Sequence, residues 1–441
     1  MNIADYIKNE LPKWPNWINN IILKMNVFGS KVYGKKYEVA KKEIESLIPE
    51  EKLCEIVNFA IKHVPYYRKK YGTLRINSIN EFEEKIGFID KDEVMEHWND
   101  FIADGTDLNK CNVGTTGGTS GKPLKLVIPA NRYIREAVFV NKYRSFSGWN
   151  FGDTRAMIRN HKLPANKEYM INPITHDFIF DAFRINDEYV KRIYNVIKNN
   201  KIRFIHAYPS AVCQFLSICN KLKLDLSILE AVLLSSEAVT EDQALLITKQ
   251  CGLKLSYTYG HSEKLIFAAN NCKDMDLLVD SKYGHFELID KEGRPIVNAG
   301  EIGEMVGTTL FNKQMPLIRY RTGDYALMGE KRNGNTTLKT IYGRRDKSTI
   351  YRCDGTQTSL TALNLHGDFY EHINGMQYIQ EEKGKLIVSI IKNEKYTEKD
   401  EKFITEHLGN AMLGKENVEI KYVDKLIIQP NGKFLPIISK I

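Results

Sequence analysis

Residues 202–210 read Ile-Arg-Phe-Ile-His-Ala-Tyr-Pro-Ser, and the same pattern returns as Glu-Ala-Val-Leu-Leu-Ser-Ser-Glu-Ala at 230–238 and Lys-Leu-Ser-Tyr-Thr-Tyr-Gly-His-Ser-Glu at 254–263. Each is a short apolar run of strand length that passes into a polar cluster. Between them, Ser210–Lys221 and Glu241–Gln250 are amphipathic at helical spacing. Strands over Ile202–Ala207, Glu230–Leu234 and Lys254–Tyr257 with helices between them make a βαβαβ unit, which requires a parallel sheet and an α/β fold. Ligands of such sheets bind beyond the carboxyl ends of the strands. The clusters His206–Ser210, Ser235–Ala238 and Tyr259–Glu263 all fall at those ends, a preference that random placement of polar residues does not produce.

Upstream, Gly114 to Pro123 reads Gly-Thr-Thr-Gly-Gly-Thr-Ser-Gly-Lys-Pro. Four glycines let backbone N–H groups approach anionic oxygens, four hydroxyls can donate to them, and Lys122 adds a charge. A Walker A loop is nevertheless excluded, because Thr116 stands where its first glycine belongs and Pro123 where its Ser/Thr belongs. Leu124, Leu126 and Ile128 alternate with Lys125 and Val127, so the loop leads into a strand and not a helix. A plain Gly/Thr linker is the bland alternative for this segment. Gly-x-Gly-x-x-Gly is absent, so a dinucleotide-binding fold finds no support.

Further out, residues 35–64 carry an apolar stripe at helical spacing that Val64-Pro65 interrupts, and a second helical pattern covers 131–147. After Glu263 the pattern turns to strands, over 283–290, 304–310 and 319–328. The last hundred or so residues have the size of a small separate domain. Strands are expected over 376–380, 385–391 and 418–423, with a helix over 398–412 that places Phe403, Ile404, Leu408 and Met412 on one face. The expected boundary is the polar turn Gly343-Arg-Arg-Asp346, dividing 1–343 from 344–441.

Composition narrows the class. The excess of Lys and Arg over Asp and Glu is 63 − 55 = 8 in 441 residues and forms no basic block, so nucleic-acid binding gains no support. Seven cysteines, at 54, 111, 213, 219, 251, 272 and 353, include no C-x-x-C pair, which argues against a disulfide framework or a cysteine-built zinc site. A reducing cytoplasm fits this usage. No long apolar run opens the chain, so neither a leader nor a membrane span is expected. Trp14, Trp17, Ile18, Ile21, Ile22 and Leu23 are expected in a packed surface helix, the alternative being a helix that touches a membrane.

Taken in order, the loop at 114–123, Ser236-Glu237, Tyr259–Glu263, Tyr320-Arg-Thr-Gly-Asp324, Gly343–Asp346 and Gly432-Lys433 resemble the successive core motifs of the adenylate-forming enzymes. The match is closest to the phenylacetate-CoA ligase group and its CapK-like branch, a branch often associated with surface-polysaccharide biosynthesis. Six motifs in order, over almost the whole chain, are far more specific than any one of them. The resemblance implies a large N-terminal adenylation domain with parallel βαβ sheets and a β-rich subdomain, followed by a small, mobile α+β C-terminal domain.

It also implies the chemistry: a carboxylate attacks the α-phosphate of ATP in line, giving an acyl-adenylate and pyrophosphate. Two anions must meet, so positioning and charge neutralisation dominate. By resemblance, Thr115, Thr116, Gly117, Thr119, Ser120, Gly121 and Lys122 would cradle the β- and γ-phosphates. Glu263 would hold Mg²⁺, Tyr259 would pack on adenine, and the backbone at Ser236 and Glu237 would line the purine pocket, with Gly260 and Ser262 on the nucleotide side. Asp324 would accept from both ribose hydroxyls and Arg344 would reach ribose or phosphate. Asp346 would be the hinge, although relatives often follow it with an acidic residue where this chain has Lys347. Lys433 would bridge carboxylate and α-phosphate. His206, Tyr208 and His261 are assigned to the acid, whose pocket involves 155–184, where Arg155, Arg159, His161 and His176 mix with Met170, Phe178, Phe180 and Phe183. A polar or functionalised acid is therefore expected. The acceptor stays open between CoA and an amine. Transfer of AMP to a hydroxyl and a catalytically silent scaffold are the alternatives.

Overall fold

The computed structural model describes residues 10–25, 34–116, 124–159, 161–342, 349–359, 363, 365, 369, 372–427 and 437–441. They divide into two compact units, Met1–Glu43 with Ile134–Thr258 and Ala269–Met275, and Ile44–Tyr133 with Tyr259–Ala268 and Asp276–Ile441.

In the first unit the strands lie side by side in the order Met170–Asn172, Asp177–Asp181, Arg155–Arg159, Phe204–Ala207, Ala231–Ser235, Lys254–Gly260. All but the edge strand Met170–Asn172 are parallel. The βαβαβ reading stands, with small shifts at its edges: the first strand begins at Phe204, the helix after it spans Pro209–Lys221, and the third strand continues to Gly260. Pro209 occupies the first turn of its helix, where the missing N–H costs nothing. The helix that begins at Glu241 is α-helical only to Leu245, and Leu246–Gln250 widens into a π turn. Phe204, Ile205, Ala207, Val232, Leu233 and Leu234 are buried, as expected of parallel strands covered on both faces.

Register fixes which residues share a face. Arg155 pairs with Asp177 and Phe204, Met157 with Ile179 and His206, and Arg159 with Asp181. Residues in register, and those two apart along a strand, point to the same side. One face of this sheet therefore carries Arg155, Arg159, Asp177, Asp181 and His206, while Ala156, Ile158, Phe178 and Phe180 make the other.

The second unit is dominated by antiparallel strands in the order Gly284–Ile289, Ile302–Thr309, Tyr320–Met328, Thr337–Tyr342, Leu277–Val279. It also contains the hairpin Cys111–Thr115 with Lys125–Pro129. Here the expected alternation fails, because Val127 is buried together with Leu126 and Ile128. The proline at 65 ends one helix, Pro49–His63, and opens another, Pro65–Tyr71, where an interruption alone was expected.

The C-terminal strands of this unit run in the order Val418–Tyr422, Leu386–Lys392, Ile373–Gln380, Ile437–Ser439, with the helix Glu398–Ala411. Ile404, Leu408 and Met412 are buried as read, but Phe403 is exposed. The expected boundary at 343/344 lies outside the described residues.

The helix Asn16–Lys24 packs through its asparagines. Asn19 is fully buried and donates to the carbonyls of Leu11 (2.9 Å) and Ile171 (3.0 Å), and Asn16 donates to that of Tyr169 (2.8 Å), while Trp14 and Trp17 face outward. Among the described residues no helix is long and apolar enough to cross a membrane. All seven cysteines are free thiols.

Candidate active site

In the second unit, two carboxylates are held in place by neutral donors. The hydroxyl of Tyr259 donates to Asp324 Oδ2 at 2.7 Å. Asp324 follows Gly323, whose φ of +70° suits glycine. Opposite it the ladder slips: Glu304 pairs with Tyr325, but Val306 pairs with Arg321, so three residues, Thr322 to Asp324, oppose Met305 alone. Such a bulge re-aims side chains. It is pinned from both sides, by the Thr322 hydroxyl donating to the Met305 carbonyl (2.7 Å) and by the Gly323 N–H donating to Glu304 Oε1 (3.0 Å). Thr-Gly-Asp is thus the apex of a bulge inside a strand and not a plain turn.

Glu263 lies in the turn that follows the strand Lys254–Gly260. The backbone N–H of Ile266 donates to His261 Nε2 at 3.1 Å, so that nitrogen is the acceptor and Nδ1 carries the hydrogen. Nδ1 then donates to Glu263 Oε2 at 2.9 Å, and the Tyr320 hydroxyl reaches Oε1 at 3.4 Å. His261, assigned to the acid from sequence, holds the Glu263 carboxylate through this bond.

The segment beyond this turn lies directly on the strands beneath it. A Cβ on Gly284 would sit 1.9 Å from the Leu265 carbonyl oxygen, and one on Gly307 would sit 2.6 Å from the Leu265 side chain. The fully buried Arg132 holds the turn from another side. Its Nη2 donates to the Lys264 carbonyl at 2.9 Å, and its guanidinium lies 4.2 Å from the centre of the Tyr283 ring.

Of the phosphate-type loop, Thr115 ends the first hairpin strand, and Thr116 closes the hairpin. Its N–H donates to the Leu124 carbonyl, and its Oγ1 accepts from the Leu124 N–H, both at 2.9 Å. That leaves the Thr116 hydroxyl with a structural task. Gly117, Thr119, Ser120, Gly121, Lys122, Arg344, Asp346 and Lys433 lie outside the described residues.

In the first unit the carboxyl ends of the strands present cations. Arg159 ends its strand, stacks its guanidinium 4.8 Å from the Tyr208 ring centre and donates from Nη2 to Ser236 Oγ at 3.0 Å. Ser236 has φ +74°, a left-handed conformation unusual for serine and of the kind that concentrates at functional sites. Arg144 Nη2 lies 2.9 Å and Arg159 Nη1 3.4 Å from His206 Nε2. Guanidinium groups only donate, so Nε2 accepts and His206 is neutral. Burial, and then the charges of Arg144, Arg159, Arg155 and His161, push its pKa well below the usual histidine range. His161 is shifted down as well, by burial first and Arg159 second.

Other residues expected in the acid pocket have structural duties. Arg155 grips Asp177 with both arms, at 2.8 and 3.0 Å, and Arg184 pairs with Asp181 at 2.8 Å. Phe178 and Phe180 are core. The Glu237 side chain accepts from the Ser210 N–H (3.0 Å) and hydroxyl (3.1 Å), capping the helix Pro209–Lys221. Arg144, Arg132 and Tyr320 were not selected from sequence. The first two lie on a helix whose pattern does not distinguish them from ordinary surface arginines.

Residues 353–440 match the family model of the CapK C-terminal domain. A crystal structure of 2-hydroxyisobutyryl-CoA ligase with 2-HIB-AMP and CoA in the thioesterification state superposes with a TM-score of 0.54 at 15% identity, covering 88% of each chain. The chain has the adenylate-forming ligase fold, and its C-terminal residues are similar to CapK. A second structure of that ligase, in the postadenylation state with R3-HIB-AMP, has a TM-score of 0.50 at 14% identity and again covers 88% of each chain. Protein CapK of Staphylococcus aureus is 20% identical over 439 residues, 94% of this chain and 94% of its own. The α/β architecture expected from residues 202–263 is therefore that of the adenylate-forming ligases.

Proposed function

We propose that this protein is an AMP-forming ligase that activates a carboxylic acid with ATP and passes the acyl group to CoA. The observation that carries this reading is the pair of oriented carboxylates, Asp324 held by Tyr259 and Glu263 held by His261 and Tyr320. They stand at the positions where the family's motifs place the ribose and metal ligands.

In this reading, the substrate carboxylate oxygen attacks the α-phosphorus of ATP, and the bond from that phosphorus to the bridging oxygen of pyrophosphate breaks. A thiol sulfur then attacks the acyl carbonyl, the carbonyl–phosphate bond breaks, AMP leaves, and the thiol proton passes to solvent. Asp324 accepts from ribose hydroxyls and fixes the nucleotide, with the Tyr259 hydroxyl holding its carboxylate in one rotamer. The Tyr259 ring offers adenine a flat face. Lys433 neutralises charge as the two anions approach.

Mg²⁺ fits what is present. Among the described residues no group of three or more His, Cys, Asp or Glu is placed to hold a metal. A metal carried in with ATP needs only one or two protein carboxylates besides phosphate oxygens and water, and Glu263 is such a carboxylate. When bound, Mg²⁺ would supply charge neutralisation to the phosphates.

Acid-dependent exchange of labelled pyrophosphate into ATP, measured over a carboxylate panel, tests the first half-reaction, and hydroxylamine trapping reports an activated acyl group. Lys433→Ala is expected to lower exchange by about 10²–10³-fold. Exchange unchanged in that variant removes Lys433 from the mechanism, and AMP transfer without any hydroxamate overturns acyl activation.

A further inference from the structure

Three arginines converge on the polar face of the parallel sheet, and their partners differ. Arg155 is neutralised by Asp177 through two hydrogen bonds. Arg159 pairs with no carboxylate among the described residues: its contacts are His206 Nε2, Ser236 Oγ and the Tyr208 ring, all neutral, and its Nε is buried without a hydrogen-bond partner. Arg144, itself buried, spends a donor on the same histidine nitrogen.

The histidine carries the second observation. His206 is 6% exposed, and with Nε2 committed as acceptor its hydrogen resides on Nδ1, which is buried with no partner. His161 Nδ1 is likewise buried and unpartnered. Buried polar groups are otherwise almost always satisfied, and leaving one unmade costs about 1–3 kcal/mol. Arg159 therefore keeps one buried N–H without an acceptor on the guanidinium that shares His206 Nε2 with Arg144, and the same histidine keeps another on its far nitrogen. Two guanidinium groups drawn onto one neutral nitrogen repel each other, and an anion received beside them would offset that repulsion. The site stands at the carboxyl ends of Arg155–Arg159 and Phe204–Ala207, where an α/β sheet binds its ligand.

We propose that Arg159 and Arg144, with His206, bind a second anionic group on the acid, so that the substrate is a carboxylic acid bearing a further carboxylate, phosphate or sulfonate. The proposal rests on the ligase reading in that the occupant is the acid to be activated. The carboxylate that reacts must keep its oxygens for the α-phosphorus, so the guanidinium cluster takes the other end of the molecule. Planar, forked guanidinium groups suit a carboxylate or phosphate in two-point contact, and a site built of such donors rejects an analogue that lacks the acceptor.

The test compares matched acids on the full-length protein: glutarate with valerate, adipate with hexanoate, and 3-phosphoglycerate with glycerate. Pyrophosphate exchange gives kcat/KM, and thermal stabilisation by each acid gives binding without turnover. Each dianion is expected to exceed its monoanionic partner at least tenfold in kcat/KM and to raise the melting temperature where the partner does not. Arg159→Gln should collapse that ratio, with Arg159→Lys restoring part of it; the exchanged side chain is half-exposed, which spares the fold if Arg144→Gln proves unstable. Exchange that proceeds equally with monoanions and ignores Arg159→Gln overturns the second-anion site and leaves the ligase standing. Stabilisation by dianions that needs Arg159, without exchange for any acid, keeps the site and overturns the ligase reading. Phosphate- or carboxylate-bearing acids outperforming one another identify which anion the site takes.

Discussion

The two units use opposite charges and fix them by opposite means. In the first, Arg144 and Arg159 surround a neutral histidine, and the nearby acids Asp177 and Asp181 are occupied by Arg155 and Arg184. In the second, Glu263 and Asp324 are oriented by an imidazole N–H and two phenol hydroxyls. Neutral donors can hold a carboxylate in one direction without cancelling its charge, whereas a salt bridge would cancel it. The contrast lies in the partners: Arg155 and Asp177 neutralise each other, while Arg159 contacts His206, Ser236 and the Tyr208 ring, and Asp324 accepts from the Tyr259 hydroxyl.

Acid should act on both units. His161, His176 and His206 in the first are all held below the usual histidine range by burial, and in the second His285 is pushed down to about 4 from 6.5, its Nε2 buried without a partner. Each folded pKa is depressed, so the unfolded chain takes up the proton first. The stability these neutral rings carry is full above about pH 7 and is lost as pH falls from 6.5 towards 4. For His285 the loss approaches about 3 kcal/mol. Urea midpoints at pH 7.5 and 5.0 measure it: a clear drop is expected, and His285→Leu should flatten the slope. A midpoint that holds or rises at pH 5.0 would break the picture of buried neutral rings.

Removing Asp324, the carboxylate proposed to hold the ribose, comes next in size. Asp324→Ala is expected to raise the KM for ATP by about 10²-fold, near the upper range for charged hydrogen bonds, with little change in the KM for the acid. Equal effects on both substrates would erase the division of labour between the units. Smallest is Tyr259→Phe, which keeps the ring but lets Asp324 rotate: about a fivefold rise in the KM for ATP, the worth of one neutral donor, measured by exchange kinetics. If this variant loses as much as Asp324→Ala, the hydroxyl touches the nucleotide itself.

The sheet was readable because burial writes itself into composition. Strands covered on both faces must be continuously apolar, and their ends must turn polar where they leave the core, so 202–210, 230–238 and 254–263 carried both the topology and the side on which to look for a site. The order of motifs pointed to Glu263, Asp324 and Ser236 in the same way. Less visible were the details that depend on partners distant in the chain. Val127 is buried against the expected alternation, and His261 serves Glu263 because the Ile266 N–H claims its other nitrogen.

What the sequence by itself determined is the parallel α/β core, the class of the ligand-bearing strand ends and the candidate residues, since periodicity and turn chemistry are local properties of the chain. What only the tertiary structure decided is which of the polar residues remain unspent. Arg155 and Arg159 stand four residues apart on one strand face, yet Asp177 neutralises the first while the second meets His206 and Ser236, and Arg144 arrives from a helix 62 residues before that histidine. Charge compensation is set by neighbours across the sheet, and no local pattern records it.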